Sequence, residues 1–315
     1  MKTSHFVASV SIIVNFLLIV FLLTSNPADS STSLPLSEQS SATYPFLSPR
    51  IFINKQNDLL INFKPLRSKV REYEYRLKNR TGFYFEYLPT GNSIGANEKE
   101  EFIPASLLKT PLAMGALKEI ELGKKKPDEI LTVKEKDIDK AFGTLWEKGV
   151  GTQITFIGAV EQLIKYSDNT AQHMLFDILS GGEIDDVFDS LDIPKTSNEN
   201  KTPVVSAKNY SSILRCLYLS CYLNKNTSNQ LLKMLSETEY NDKLPAGVPN
   251  DIKVAHKIGV SISPEQGEIY TDCGIVYVPK RPYILCIMTE SNEDEARVIM
   301  QDLSKMVYEY VSSAN

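Results

Sequence analysis

Between Leu107 and Ile120 the chain places apolar side chains on nearly every side of one helix: Leu107, Leu108, Leu112, Ala113, Met114, Ala116, Leu117 and Ile120. A helix that is apolar all round must be enclosed by other elements, so this stretch demands a core large enough to surround it. The chain can supply one, since its 315 residues are 42% hydrophobic and 23% charged, the balance of a globular protein. An enclosed helix holds its N-terminus rigidly, and the order there is Phe102-Ile-Pro-Ala-Ser-Leu-Leu-Lys-Thr-Pro-Leu112. Ser106 and Lys109 are three residues apart, which stacks them one turn apart on one helix face with the amine in reach of the hydroxyl. A serine whose proton a neighbouring lysine can take is a nucleophile. At the same point the unpaired N–H groups and the positive end of the helix dipole favour negative charge developing on a substrate oxygen.

The net charge of −5 and the absence of a dense Lys/Arg block exclude nucleic acid as the main partner. The three histidines, His5, His173 and His256, form no cluster with cysteine or carboxylates at metal-ligand spacing, so no metal and no cofactor are expected. Of the four cysteines, Cys216 and Cys221 fall five apart on an expected helix and point in different directions, whereas Cys273 and Cys286 could approach across a hairpin. Four free thiols in apolar sites are expected.

From Phe6 to Leu23 the chain is apolar apart from Ser9, Ser11 and Asn15, and no charged residue occurs between Lys2 and Asp29. Residues 1–24 read as a membrane anchor with Lys2 on the cytoplasmic side, the alternative being a cleaved signal segment. The body is then exported, to the outer face of the cytoplasmic membrane. Residues 25–50, crowded with Ser, Thr and Pro, read as a linker, and residues 51–315 as the folded domain. Periodicity predicts a helix over 66–78 and a strand over 82–88. Gly91-Asn-Ser-Ile-Gly95 matches a nucleophile-elbow pattern, but the residues after it continue as a strand or loop, so it reads as a hairpin turn. Helices are expected over 155–165, 170–179, 183–191, 206–223 and 229–235, strands over 252–258, 268–278 and 283–290, and a last helix over 293–311. Sequential helices flanked by strands from both ends of the chain give an α+β fold, an antiparallel sheet with helices packed on it.

Two further elements join Ser106 and Lys109. Ser167-Asp-Asn169 begins 61 residues after Ser106, and Lys257-Ile-Gly259 begins 90 residues after Ser167. Each has an ordinary reading alone, as a helix N-cap cluster and as an exposed lysine beside a bulge. In this order and spacing, Ser-x-x-Lys, Ser-Asp-Asn and Lys-x-Gly resemble the motifs of class A β-lactamases and penicillin-binding proteins from about residue 60 onward. The context is similar too: Ser167-Asp-Asn-Thr-Ala171 opening a helix, Thr202-Pro203 before another, and Tyr270-Thr-Asp-Cys-Gly-Ile-Val-Tyr277 ahead of the last strand.

The resemblance implies a β-lactamase/transpeptidase-like fold, with an all-α subdomain beside the sheet, and a serine hydrolase working through an acyl-enzyme. Ser106 would attack the amide carbonyl of a β-lactam or a peptidoglycan stem peptide, and Lys109 would take its proton, which requires a neutral amine. Ser167 would relay a proton to the leaving nitrogen, Asn169 would orient Lys109 and the substrate amide, and Asp168 would fix the turn. Lys257 would bring positive charge to the substrate carboxylate, and the N–H groups of Ser106 and Val260, beside Gly259, would form the oxyanion hole.

Two departures bear on function. Ile258 replaces the family's Thr or Ser, removing a hydroxyl for the substrate carboxylate, with Ser261 or Ser263 as weak substitutes. Between Leu191 and Thr202 there is no family-like glutamate loop for deacylation. Glu199 is the sole glutamate there and reads as a solvated turn residue. An acyl-enzyme should therefore form and persist. The competing readings are a D-Ala-D-Ala peptidase or cell-wall sensor whose acylation reports on ligand, and a degenerate scaffold, which the intact motif residues disfavour.

Overall fold

The computed structural model describes residues 45–46, 61–264 and 267–313. The segment read as a membrane anchor lies outside the described residues. So does the segment read as a linker, apart from Pro45 and Phe46. Phe46 is buried against Tyr277, ring centroids 5.4 Å apart. Phe46, in the segment read as a linker, therefore packs on the body before residue 51. Among the described residues no helix is long and apolar enough to cross a membrane.

Helix α1 (Lys64–Arg76) leads into strands β1 (Thr81–Tyr87), β2 (Asn92–Ala96) and β3 (Glu101–Phe102). A 3-10 turn, Ala105–Leu108, runs straight into α2 (Lys109–Glu121). Strands β4 (Ile130–Thr132) and β5 (Gln153–Thr155) precede α3 (Phe156–Lys165), α4 (Asn169–Ile178) and α5 (Glu183–Ser190). A hairpin of β6 (Thr196–Ser197) and β7 (Pro203–Ser206) leads to α6 (Ala207–Leu219) and α7 (Lys225–Leu235). Strands β8 (Val254–Ser263), β9 (Gly267–Val276) and β10 (Tyr283–Glu290) and helix α8 (Glu293–Ser313) close the chain.

The main sheet has the order β2-β1-β10-β9-β8, with every pair antiparallel. Its first and last elements come from opposite ends of the domain, as the sequence pattern required. The pleat of β1 sends Phe83, Phe85 and Tyr87 to one face, where they join Leu66 and Val70 of α1 and Ala296, Ile299, Leu303 and Val307 of α8. Tyr84 points to the other face, where the helical part packs. There Glu86 pairs with Arg215 of α6 at 2.6 Å. Helix α2 is buried without a break from Lys109 to Leu117 and is enclosed as its all-round apolarity demanded.

Gly91 and its neighbours form the turn of the β1–β2 hairpin with Ser93 exposed, so the nucleophile-elbow pattern is a turn. The Ser106 segment differs from expectation in starting as a 3-10 turn. Ala105 holds a left-handed conformation (φ 47°) as the chain leaves β3, and this tightens the first turn. A 3-10 turn eclipses residues three apart, so it stacks Ser106 and Lys109 more directly than an α-helix does.

The expectation of four free thiols is wrong. The helix expected over 206–223 ends at Leu219, where Ser220 turns left-handed (φ 55°). Cys221 folds back against the last turn and is bonded to Cys216, Cα atoms 5.1 Å apart. Cys273 and Cys286 face each other directly across β9 and β10 and are also bonded, leaving no free cysteine among the described residues.

Candidate active site

The edge strand β8, the start of α2 and the start of α4 meet at three buried polar side chains. Lys109 Nζ donates to Asn169 Oδ1 at 2.6 Å, to Ser167 Oγ at 3.2 Å and to the Ser167 carbonyl. Lys257 Nζ donates to the same Ser167 Oγ at 2.9 Å and to the Ile258 carbonyl at 3.1 Å. One hydroxyl thus bridges two lysines that lie 90 residues or less from it in sequence and on different elements. Ser106 stands one 3-10 turn ahead of Lys109, half-buried.

Each group is fixed by local structure. Ser167 is left-handed (φ 50°), which turns its hydroxyl and carbonyl to the lysines. Asp168 caps α4 by accepting from the Ala171 N–H at 2.8 Å, and it also accepts from the Leu145 N–H at 2.8 Å. Gly143 makes room for it: a Cβ there would lie 2.1 Å from Asp168 Oδ2. Tyr210, fully buried on α6, is hydrogen-bonded to the Leu107 carbonyl at 3.2 Å and to Thr110 Oγ1 at 2.9 Å, pinning the base of the 3-10 turn.

Gly259 has a requirement of its own. A Cβ at this position would lie 2.4 Å from the Pro104 carbonyl oxygen, so only glycine lets β8 approach the 3-10 turn this closely. Val260 follows it on an edge strand, which leaves alternate N–H groups without a sheet partner. The first backbone bond of the 3-10 turn is donated by Leu107 to Pro104 at 2.9 Å, so the Ser106 N–H precedes it.

Burial sets the charges. Lys109 is 1% exposed, and loss of water pulls its amine down to about 8, although Asp168 and Asp139 pull the other way. Lys257 is held well below the ordinary lysine value by complete burial and then by the charge of Lys109, with Asp272 opposing. Two lysines that crowd one another in a dry site favour leaving one of them neutral.

Ile258 is buried and lines a cleft of about 710 Å³ together with Phe142, Tyr240, Lys243, Val260 and Tyr270. Glu199 sits exposed in the tight turn between β6 and β7, closed by the Lys201 N–H to the Asn198 carbonyl at 2.9 Å. Among the described residues no group of three or more His, Cys, Asp or Glu could hold a metal ion.

One polar residue at the site and one buried pair behind it carry no motif of their own in the sequence. Asp139 lies in the irregular stretch before Gly143 and accepts from Asn169 Nδ2 at 3.1 Å. His256 and Asp272 form a fully buried pair at 2.7 Å behind β8, with Asp272 also accepting from the Leu244 N–H at 3.0 Å. Neither has a spacing that could have marked it, since each partner comes from a separate segment.

A sheet with a helical part packed on one face, and a Ser-x-x-Lys turn beside a second serine and a second lysine, define a class of serine hydrolases. The chain belongs to the β-lactamase enzyme family, whose model matches residues 65–311. It is 25% identical over 265 residues to β-lactamase 3 of Bacillus cereus, covering 78% of this chain and 80% of that one. Its fold resembles that of a β-lactamase from Chitinophaga pinensis (22% identity, TM-score 0.72, 78% of this chain and 99% of the other). It also resembles a variant of PBP-A solved as an acyl-enzyme complex with penicillin G (24% identity, TM-score 0.70, 78% and 95%).

Proposed function

We propose that this chain is a serine hydrolase that opens amide bonds of β-lactams or of peptidoglycan stem peptides through an acyl-enzyme on Ser106. The observation that carries this reading is Lys109: a buried amine on the turn after Ser106, held by Asn169 and Ser167, with its proton affinity brought down to about 8. An amine so placed takes the hydroxyl proton as Ser106 Oγ bonds to the carbonyl carbon. Charge on the carbonyl oxygen is received by the Ser106 and Val260 N–H groups. As the C–N bond breaks, Ser167 passes a proton to the leaving nitrogen and is resupplied from the lysines on either side. Asn169 and Lys257 hold the substrate's amide and carboxylate.

A second reading is favoured by the β6–β7 hairpin. The stretch in which a deacylating carboxylate is expected is a compact turn, and its one glutamate, Glu199, is exposed there. With no base to activate water the acyl-enzyme persists, which is the behaviour of a D-Ala-D-Ala peptidase or a cell-wall sensor toward β-lactams. Placement outside the cytoplasm, anchored by residues 1–24, is part of this proposal and is supported by two disulfides, which persist in oxidising compartments.

The test is a fluorescent penicillin mixed with the domain, with Ser106→Ala beside it. Stable labelling that the alanine variant loses supports the acyl-enzyme with slow release. Label that decays within seconds with release of opened ring makes the protein an efficient β-lactamase, and a folded protein that takes no label removes Ser106 as a nucleophile toward β-lactams.

A further inference from the structure

Asn169 faces a donor on one side and an acceptor on the other. Its Oδ1 receives the Lys109 ammonium at 2.6 Å, and its Nδ2 donates to Asp139 Oδ1 at 3.1 Å. An ammonium can only donate and a carboxylate can only accept, so between them they fix which way the amide points. Asp139 is itself immobilised. Its Oδ1 also receives the Ala141 N–H at 2.8 Å, its own N–H donates to Thr170 Oγ1 at 3.1 Å, and its carbonyl accepts from the Thr170 hydroxyl at 3.2 Å. The backbone of Asp139 is thereby stitched to the residue that follows Asn169 on α4, and its carboxylate is held by Asn169 and the Ala141 N–H.

We propose that Asp139 is a positioning residue of the acylation machinery: through Asn169 it orients the amide toward Lys109, and its negative charge raises the pH at which Lys109 gives up its proton. This rests on the reading of Lys109 as the base. The charges around Lys109 can be named element by element. Lys257 faces it from β8, and Asp168 lies at the start of α4. Asp139 comes from the irregular segment, with His173 of α4 close enough to act on that carboxylate. Asp168 is committed to two backbone N–H groups. Asp139, bonded to the same amide that holds Lys109, is the anion whose replacement by Asn or Ser leaves the α4 cap and the Leu145 N–H on Asp168 and keeps a side-chain acceptor for the Ala141 N–H. The hydrogen bonds around it hold its own carboxyl below the usual carboxylate range. Partial burial, the largest single influence, pushes the other way, but the Ala141 N–H, Asn169, His173 and Lys109 together outweigh it. The charge is therefore present throughout the working range of the enzyme.

Removing a nearby opposite charge lowers an amine's proton affinity. The experiment is an NMR titration of the Lys109 side chain in ¹³C-lysine-labelled wild type, Asp139→Asn, Asp139→Ser and Thr170→Val. It is paired with the pH profile of Ser106 acylation by fluorescent penicillin. We expect both Asp139 variants to titrate lower by about half a pH unit or more. Thr170→Val, which loses the latch and keeps the charge, should titrate as wild type. Equal titration of all four proteins overturns the inference, as does a Thr170→Val shift matching that of Asp139→Asn, which would make Asp139 merely structural. The titration needs no substrate. A wild type that is never acylated therefore defeats the proposed function and still leaves the role of Asp139 decided.

Discussion

Lys109 converts burial into chemistry. An ordinary lysine at pH 7 is neutral in about one molecule in three thousand, whereas at about 8 the neutral fraction is about one in ten. Because the neutral form is the base, acylation should rise as pH increases through about 8 and level off above it. Measured rates of penicillin labelling that are flat between pH 6 and 9 would exclude Lys109 as the base. Lys109→Arg keeps a cation in place but cannot release its proton, and acylation should fall at least ~100-fold at every pH. Ile258 makes a second prediction at this scale. Ile258→Thr puts a hydroxyl on the cleft wall beside Lys257, and labelling by a carboxylate-bearing penicillin should speed up about tenfold, the worth of one good hydrogen bond. The lost apolar packing should cost roughly 1 kcal/mol of stability. An unchanged labelling rate in a folded variant would show that position 258 does not contact the carboxylate.

Between elements, the decisive contact is β8 against the 3-10 turn. Gly259→Ala places a methyl group 2.4 Å from the Pro104 carbonyl oxygen, and because that atom is backbone, the strand or the turn must move. We expect a stability loss of about 1–3 kcal/mol, the usual cost of overpacking. The loss of acylation should be larger than a neutral surface change gives, because the same shift parts the Val260 N–H from Ser106. Thermal unfolding and labelling rate measured on one sample separate the two effects. Should the variant label at the wild-type rate, Val260 is not part of the oxyanion site. The pairing of Cys216 with Cys221 is also decided between elements. Helical spacing alone kept Cys216 and Cys221 apart, and it was the end of the helix at Leu219 that brought them together.

For the molecule as a whole, the two disulfides close short loops in different parts of the structure, one at the end of α6 and one across the sheet. By loop length the first should contribute about 2 and the second about 3 kcal/mol, and their effects should add because they share no partner. Thermal unfolding with and without reductant, and of Cys216→Ala/Cys221→Ala and Cys273→Ala/Cys286→Ala, reads this directly. A melting temperature indifferent to reductant would mean that the thiols are free.

What the chain determined by itself is what helix pitch and strand pleat make local. The enclosed helix after Ser106, the stacking of Ser106 over Lys109, the three closing strands, and Asp168 as a cap were all readable from residues near one another. The order of the three motifs was readable too, though only as order. The tertiary structure decided what meets across distance: Ser167 between two lysines, Gly259 against Pro104, Cys273 opposite Cys286, and Asp139 behind Asn169. Periodicity reports that a face is apolar and not which distant segment will cover it. A polar residue in an irregular stretch, such as Asp139, has no periodicity at all. The lowered proton affinity of Lys109 belongs to the same class, because it arises from the water that the assembled elements exclude.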